Sequence, residues 1–209
     1  MNAPALTVLS LFAGIGGLDL GLERAGMRVV GQVEKDPFCQ QVLARHWPEV
    51  PRHDDVHTCL DWWQSRPRPA VAVVIGENVP GLRTRGLAFV HADLRTAGYR
   101  VRTGYLSACE MGAPHPRRRL FILAHTQSQG RCPWRPVRTG PAAPPGQQTH
   151  QRGPGRCGRW PTEPDLGRVA YGVPHGMDRR RALGNAVVPA AAEHIGHLIT
   201  GHGHDHHDH

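Results

Sequence analysis

Val8-Leu-Ser-Leu-Phe-Ala-Gly-Ile-Gly-Gly-Leu-Asp-Leu-Gly-Leu-Glu-Arg-Ala-Gly26 decides the fold. It opens on an apolar run over 6–12, of the length and composition of a buried parallel strand. Gly14, Gly16 and Gly17 follow, and then a helix whose Leu18, Leu22 and Ala25 fall on one face. Strand, glycine turn and helix form the unit with which an open α/β sheet holds a nucleotide-like ligand. The glycines admit backbone close to the ligand, and the helix start offers free N–H groups. A tight turn with no ligand is the simpler reading of the same glycines.

The next segment narrows the choice. Val29-Val-Gly-Gln-Val33 reads as a second strand with Glu34 at its C-terminal end, where a carboxylate can accept both ribose hydroxyls of a nucleoside. Asp36-Pro37 supplies a helix cap and a proline at the first helical position. Phe38, Val42 and Trp47 are the apolar positions expected to anchor that helix. Leu-Phe-Ala-Gly-Ile-Gly-Gly followed by Val-Glu-Lys-Asp resembles the start of DNA cytosine-5 methyltransferases. The resemblance implies that the turn Phe12, Ala13, Gly14, Ile15, Gly16, Gly17 cradles the methionine part of S-adenosylmethionine (SAM) and that Glu34 holds its ribose. In His53-Asp-Asp-Val56, past an expected third strand, Asp55 is the better match to the acid that contacts adenine; a solvated loop acid is the other reading.

Composition sets outer bounds. The 209 residues suffice for one sizeable core, and no run of 18 apolar residues exists. With no signal pattern at the start, a cytoplasmic protein without a membrane segment is expected. Cys39, Cys59, Cys109, Cys132 and Cys157 form neither a paired framework nor a C-x-x-C site. The formal charge is +8, carried almost wholly by arginine, since Lys35 is the single lysine. Arginine makes bidentate contacts to phosphate and guanine, which fits a nucleic-acid partner. A GC-rich genome would write the same bias.

Further motifs keep the order of the resembling family. Glu77-Asn-Val-Pro, at the end of an expected strand over 70–75, resembles its second catalytic motif; Glu77 would hydrogen-bond cytosine N3 and the amino group, and Asn78 would hold the loop. A helix over 87–97 and a strand over 99–106 lead to Gly112-Ala-Pro-His-Pro-Arg-Arg-Arg-Leu-Phe-Ile-Leu-Ala124. Here Arg117 and Arg119 match the two arginines that contact the target cytosine region and the DNA backbone, with His115 in place of a glutamine. Ala182-Leu-Gly-Asn-Ala-Val-Val-Pro189 resembles the last motif, which closes the cofactor pocket through Gly184, Asn185 and Val187, before a final helix over 190–199.

One departure stands out. Between Val56 and Glu77 the family pattern has a further strand, a loop carrying Pro-Cys and a helix. This chain holds a single strand and no Pro-Cys there, which implies a loss of about 35 to 40 residues between about 57 and 76. The lost strand would lie beside the cofactor strand. Its removal either exposes two sheet edges or draws the strand over 70–75 into its place. The lost loop would supply the thiolate that adds to cytosine C6, without which C5 cannot attack a methyl sulfonium. Cys59 is nearest in sequence but has no glycine or proline to present it. Cys39, in Asp-Pro-Phe-Cys-Gln, belongs to the helix after the second strand, and Cys109 matches a non-catalytic position.

The expected organisation is therefore a doubly wound α/β SAM-dependent methyltransferase sheet, Rossmann-like, over 1–125 and 165–199. A reduced target-recognition segment over 126–164 holds eight prolines, and a histidine-rich tail spans 200–209. Cys132 and Cys157 with His125 and His150 fit no standard zinc spacing, and no metal is expected. The implied function is DNA cytosine C5 methylation of the restriction-modification type with SAM, impaired by the missing nucleophile. Double-stranded DNA is the implied substrate, with a cognate restriction endonuclease or a partner methyltransferase as associated protein. The alternative is a SAM- or DNA-binding relic, or an accessory subunit of a partner methyltransferase. An unrelated nucleotide-dependent enzyme such as a dehydrogenase is disfavoured by Glu-Asn-Val-Pro and the arginine motif.

Overall fold

A computed structural model of the chain describes residues 4–65, 71–111, 117–126 and 176–201. Strand β1 (Thr7–Leu11), helix α1 (Gly17–Arg24), strand β2 (Arg28–Val33), helix α2 (Pro37–His46) and the two-residue β3 (Arg52–His53) alternate as the glycine turn requires. Helix α3 (Cys59–Gln64) precedes β4 (Val73–Asn78), followed by the short α4 (Leu82–Arg85) and α5 (Leu87–Thr96). Strand β5 (Tyr99–Ser107), a 3-10 turn (Ala108–Met111), β6 (Arg118–Thr126), α6 (Gly176–Asn185) and α7 (Pro189–Thr200) complete the described elements. The recognition segment over 127–164, His115, Cys132, Cys157, His150 and the tail over 202–209 lie outside the described residues.

The six strands form one sheet in the order β3-β2-β1-β4-β6-β5. The first four are mutually parallel, while β6 runs antiparallel to both β4 and β5. Alternation along each strand feeds two cores. Val8, Ile75, Phe121 and Leu123 pack on one face with Leu18 and Leu22 of α1 and Ala192 and Ile195 of α7. Leu9, Leu11, Val74 and Ile122 pack on the other with Trp63 of α3 and Val90 and Leu94 of α5. Burial on both faces explains why the central strands read as unbroken apolar runs. Leu18, Leu22 and Ala25, the stripe expected on α1, are 0%, 0% and 5% exposed.

The sheet resolves the choice posed by the short β3–β4 connection. β4 takes the place beside β1, with Leu9 opposite Val74 and Leu11 opposite Gly76. The approach is close. A Cβ on Gly76 would come within 3.1 Å of Leu11 Cβ and 3.3 Å of the Phe12 ring. β4 begins at Val73, later than the strand expected over 70–75, and also ends later because β6 extends it by pairing Glu77 with Phe121 and Asn78 with Leu120. In α2 the buried residues are Cys39 and Leu43. The expected anchors Phe38 and Val42 are only half-buried, while the Trp47 ring lies against the backbone of Gly16.

Candidate functional site

At the C-terminal ends of β1 and β2 the chain builds a stiff turn. Phe12 (φ 56°), Gly14 (φ 57°) and Gly16 (φ 91°) all take left-handed backbone. For Phe12 this is a strained conformation, of the kind that persists where surrounding contacts over-determine it. Those contacts are visible: Ala13 N–H donates to the Val33 carbonyl at 3.1 Å, and Gly14 N–H donates to Glu34 Oε2 at 2.7 Å. The other oxygen, Glu34 Oε1, accepts Asp36 N–H at 2.7 Å. Both carboxylate oxygens are thereby oriented, and each retains acceptor capacity. Asp36 caps α2 as expected, its Oδ1 accepting the N–H groups of Phe38 and Cys39 at 2.9 and 3.3 Å.

Glu34 lines a cavity of about 440 Å³ together with Phe12, Gly14, Cys39, Glu77 and Asn185. The wall opposite Glu34 is polar. Glu77 is 5% exposed, and burial pushes its carboxyl up to about 7 against the lowering influence of Arg119 and Arg117. Arg119 Nε lies 2.8 Å from Glu77 Oε1, an ion pair that opposes the effect of burial on the carboxyl. Asn78, also on this wall, uses its Oδ1 to accept the N–H of Val79 at 2.8 Å, which holds the loop after β4. Arg181 of α6 reaches across the mouth to the free oxygen of Asp36.

Other expected residues fall elsewhere. Ile15, Gly16, Gly17 and Val187 line a second, apolar cavity of about 510 Å³ with Trp47 and Leu183. Ala13 is buried. Asp55 is exposed on the loop after β3, its Oδ1 accepting His57 N–H at 2.9 Å. Arg117 faces the C-terminal segment: its guanidinium donates to the Gly184 carbonyl and, at 3.0 Å, to that of Ala186. It brackets the turn between α6 and α7 onto the sheet. There the Val187 carbonyl sits 2.3 Å from where a Cβ on Gly17 would be. Sequence reasoning missed Arg181 and this bracketing role, because both contacts join residues 67 or more apart.

The described cysteines divide sharply. Cys59 is buried beside Trp63 and Val71 in the core under α3 and α5, and burial with Asp93 and Asp55 nearby pushes its thiol up to about 12. Cys39 does line the cavity that holds Glu77, but burial, Glu34 and Asp36 push its thiol up to about 11. Cys109 is exposed beside Ser107, its Sγ 2.9 Å from the hydroxyl.

A glycine turn, an acid at the end of β2 and a returning C-terminal helix on one six-stranded sheet define an α/β protein with a cavity at the strand ends. Over residues 6–58 and 68–151 the sequence matches the family of C-5 cytosine-specific DNA methylases, and the chain belongs to that family. It is 29% identical over 161 residues to the type II methyltransferase M.AplI of Arthrospira platensis, covering 57% of this chain and 46% of that protein. With the type II methyltransferase M2.BsuMI of Bacillus subtilis it shares 40% identity over 52 residues, 25% of this chain and 13% of that one. The chain thus spans less than half the length of these relatives. Among solved structures, the Dnmt2 methyltransferase of S. pombe superposes with a TM-score of 0.46 at 21% identity, over 61% of this chain and 51% of that one. No helix among the described residues is long and apolar enough to cross a membrane.

Proposed function

We propose that this chain is the SAM-binding part of a DNA cytosine-5 methyltransferase of the restriction-modification type, and that it does not complete methyl transfer alone. The observation that carries the second half is the state of the thiols. Addition to cytosine C6 needs a thiolate within reach of the base. Among the described cysteines, the one that lines the cavity titrates about four pH units above neutrality. Glu34 and Asp36 raise it further, so the site works against the nucleophile it would need.

Several features support a SAM site. Glu34 presents two pre-oriented acceptors to a ribose diol, and Gly14 leaves the approach free of a side chain. The cavity of about 440 Å³ is the size of a small-ligand pocket, typically ~300–1,000 Å³. Asn185 closes it from the C-terminal side, held there by the Arg117 bracket, with Glu77, Asn78 and Arg119 as the polar wall. SAM supplies an electrophilic methyl group on a sulfonium. The protein's part is to fix the ribose at Glu34, exclude water with the α6–α7 turn, and hold a proton on Glu77 near neutrality. The surplus of arginine, with exposed Arg100 and Arg102 on β5, suits double-stranded DNA, and a restriction endonuclease or a second methyltransferase in the cytoplasm is the associated protein.

The test is transfer of radiolabelled methyl from SAM to duplex DNA, alongside calorimetric titration with SAM and a Glu34→Ala control. Binding without label is expected, with binding lost in the control. Label in DNA from the purified chain refutes the proposed incapacity and sends Cys39 and Cys109 to mutagenesis.

A further inference from the structure

The two halves of the glycine turn are held by different means. Gly14 is tied to Glu34 through its N–H. Gly16, in left-handed backbone at φ 91°, opens α1 with no side-chain cap. What backs it is packing. A Cβ on Gly16 would lie 2.3 and 2.6 Å from Cζ3 and Cη2 of the Trp47 ring, so the indole sits directly on the backbone. Trp47 comes from the end of α2 and is fixed through both its ring and its backbone. Its Nε1 donates to the Glu23 carboxylate, 3.0 Å from each oxygen. Its carbonyl accepts Arg52 Nη1 at 2.8 Å, and the same nitrogen donates to the Val50 carbonyl at 2.8 Å. Arg52 Nη1 also lies 3.5 Å from Gln32 Oε1, and Gln32 Nε2 donates to Asp19 Oδ1 at 3.0 Å. Asp19 and Glu23 both belong to α1. The contacts thus run from α1 through β2 and β3 to the end of α2, and back to α1.

A ring of contacts that closes on the helix behind the turn fixes where the turn can sit. We infer that Trp47 is a positioning residue for the cofactor turn: its indole, held by Glu23 and Arg52, backs Gly16 so that the N–H groups at the start of α1 face the amino-acid end of SAM. This rests on the reading of the turn as part of a SAM site. A left-handed glycine has no side chain to lock it and moves to other conformations unless packing stops it. The apolar cavity of about 510 Å³ bordered by Gly16, Gly17 and Trp47 is the space into which an unbacked turn would retreat. The first N–H groups of a helix have no partner within it and carry the positive end of its dipole, which suits a carboxylate. They bind one well only when aimed in advance, since ordering a loose turn costs affinity. An indole serves here where an aliphatic chain would not. It is a rigid plate with two side-chain torsions, and its single donor pins it to Glu23.

The experiment is calorimetric titration with two nucleosides. S-adenosylhomocysteine carries the amino-acid end; 5′-methylthioadenosine shares the adenine, ribose and thioether and lacks it. Trp47→Ala should weaken S-adenosylhomocysteine by ~10-fold, the worth of one charged hydrogen bond, and leave methylthioadenosine unchanged, because Glu34 holds the ribose from the other half of the turn. Trp47→Phe keeps a ring at Gly16 without the donor to Glu23 and should lose about threefold on S-adenosylhomocysteine alone. Glu23→Ala breaks the same bond and should match it, and the double variant Trp47→Phe, Glu23→Ala should be no worse than either single one. Glu23→Gln keeps an acceptor for the indole and should bind as the wild type does. A loss shared by both nucleosides, as general loosening would give, overturns the positioning role, and so does no loss for either; both results leave the SAM site standing. Failure of the wild-type chain to bind either nucleoside overturns the SAM site and the role of Trp47 with it.

Discussion

Asp19→Asn tests the electrostatics of the fold at its most buried charge. Asp19 lies in the first turn of α1 and is 0% exposed. Gln32 Nε2 donates to its Oδ1 at 3.0 Å and Ser10 Oγ to its Oδ2 at 3.4 Å. Burial nevertheless prevails over these bonds and raises the carboxyl from its usual 3.8 to about 6. The folded state therefore holds this proton more tightly than the unfolded chain. Stability contributed by the protonated form is complete below about pH 4, falls as pH rises toward 6, and is level beyond. At about 1.4 kcal/mol per pH unit, that displacement makes the ionised side chain cost about 3 kcal/mol at pH 8. Asparagine keeps an acceptor for Gln32 but must reverse the bond with Ser10, an exchange of about 1 kcal/mol. The variant should be less stable than wild type by about 1 kcal/mol near pH 4 and more stable by about 2 kcal/mol at pH 8. Urea unfolding of both proteins at pH 4.5, 6 and 8 measures the difference, in which every other titrating group cancels. A difference that does not change with pH refutes the reasoning.

Three further outcomes follow from contacts described above. Arg117→Met removes both donors to the α6–α7 turn; it should cost about 2 kcal/mol and speed amide exchange over 184–192, and unchanged exchange there would remove the bracket. Gly21→Ala places a Cβ 2.3 Å from the Pro189 carbonyl and 2.5 Å from Ala192 Cβ, so overpacking of ~1–3 kcal/mol should exceed the helix-propensity gain of about 1 kcal/mol. Gly184→Ala meets nothing within 4 Å and should not destabilise; a thermal melt separates the two. Native alkylation at pH 7.5 followed by mass spectrometry should label Cys109 well ahead of Cys39 and Cys59, and rapid labelling of Cys39 would contradict its suppressed thiolate.

Much of this was legible because the signals were local. The apolar run into Gly14, the cap Asp36-Pro37 and the stripe Leu18, Leu22, Ala25 each operate within a few residues, and each element formed where expected. In α2, apolar residues lie on two stripes of a ten-residue helix, so pattern alone could not choose between Phe38 with Val42 and Cys39 with Leu43. The Trp47 ring against Gly16 belongs to the tertiary packing that pattern leaves out. The polar wall of the cavity was half legible. Glu77 and Asn78 declared themselves by their string, whereas the partner of Arg117 lies 67 residues away and carries no sequence signature. The register of β4 was likewise invisible, because it depends on which neighbour is available.

That register has the largest consequence. Left unpaired, β1 and β4 would each present a row of buried N–H and C=O groups, every one costing about 1–3 kcal/mol without a partner. Pairing them satisfies both rows and closes the two apolar cores over Val8, Leu9, Val73 and Val74. The sheet is thus continuous although no Pro-Cys loop connects Asp55 to Glu77, and continuity of the sheet is no evidence of chemistry. It also limits how a second polypeptide could supply a nucleophile, as the proposed incapacity of this chain requires. A strand offered between β1 and β4 would have to break the pairs from Val8–Val73 to Leu11–Gly76 and reopen both cores. On that proposal, a complementing subunit would bring its thiolate to the cavity mouth, over Asn78 and Arg181, and leave the sheet intact.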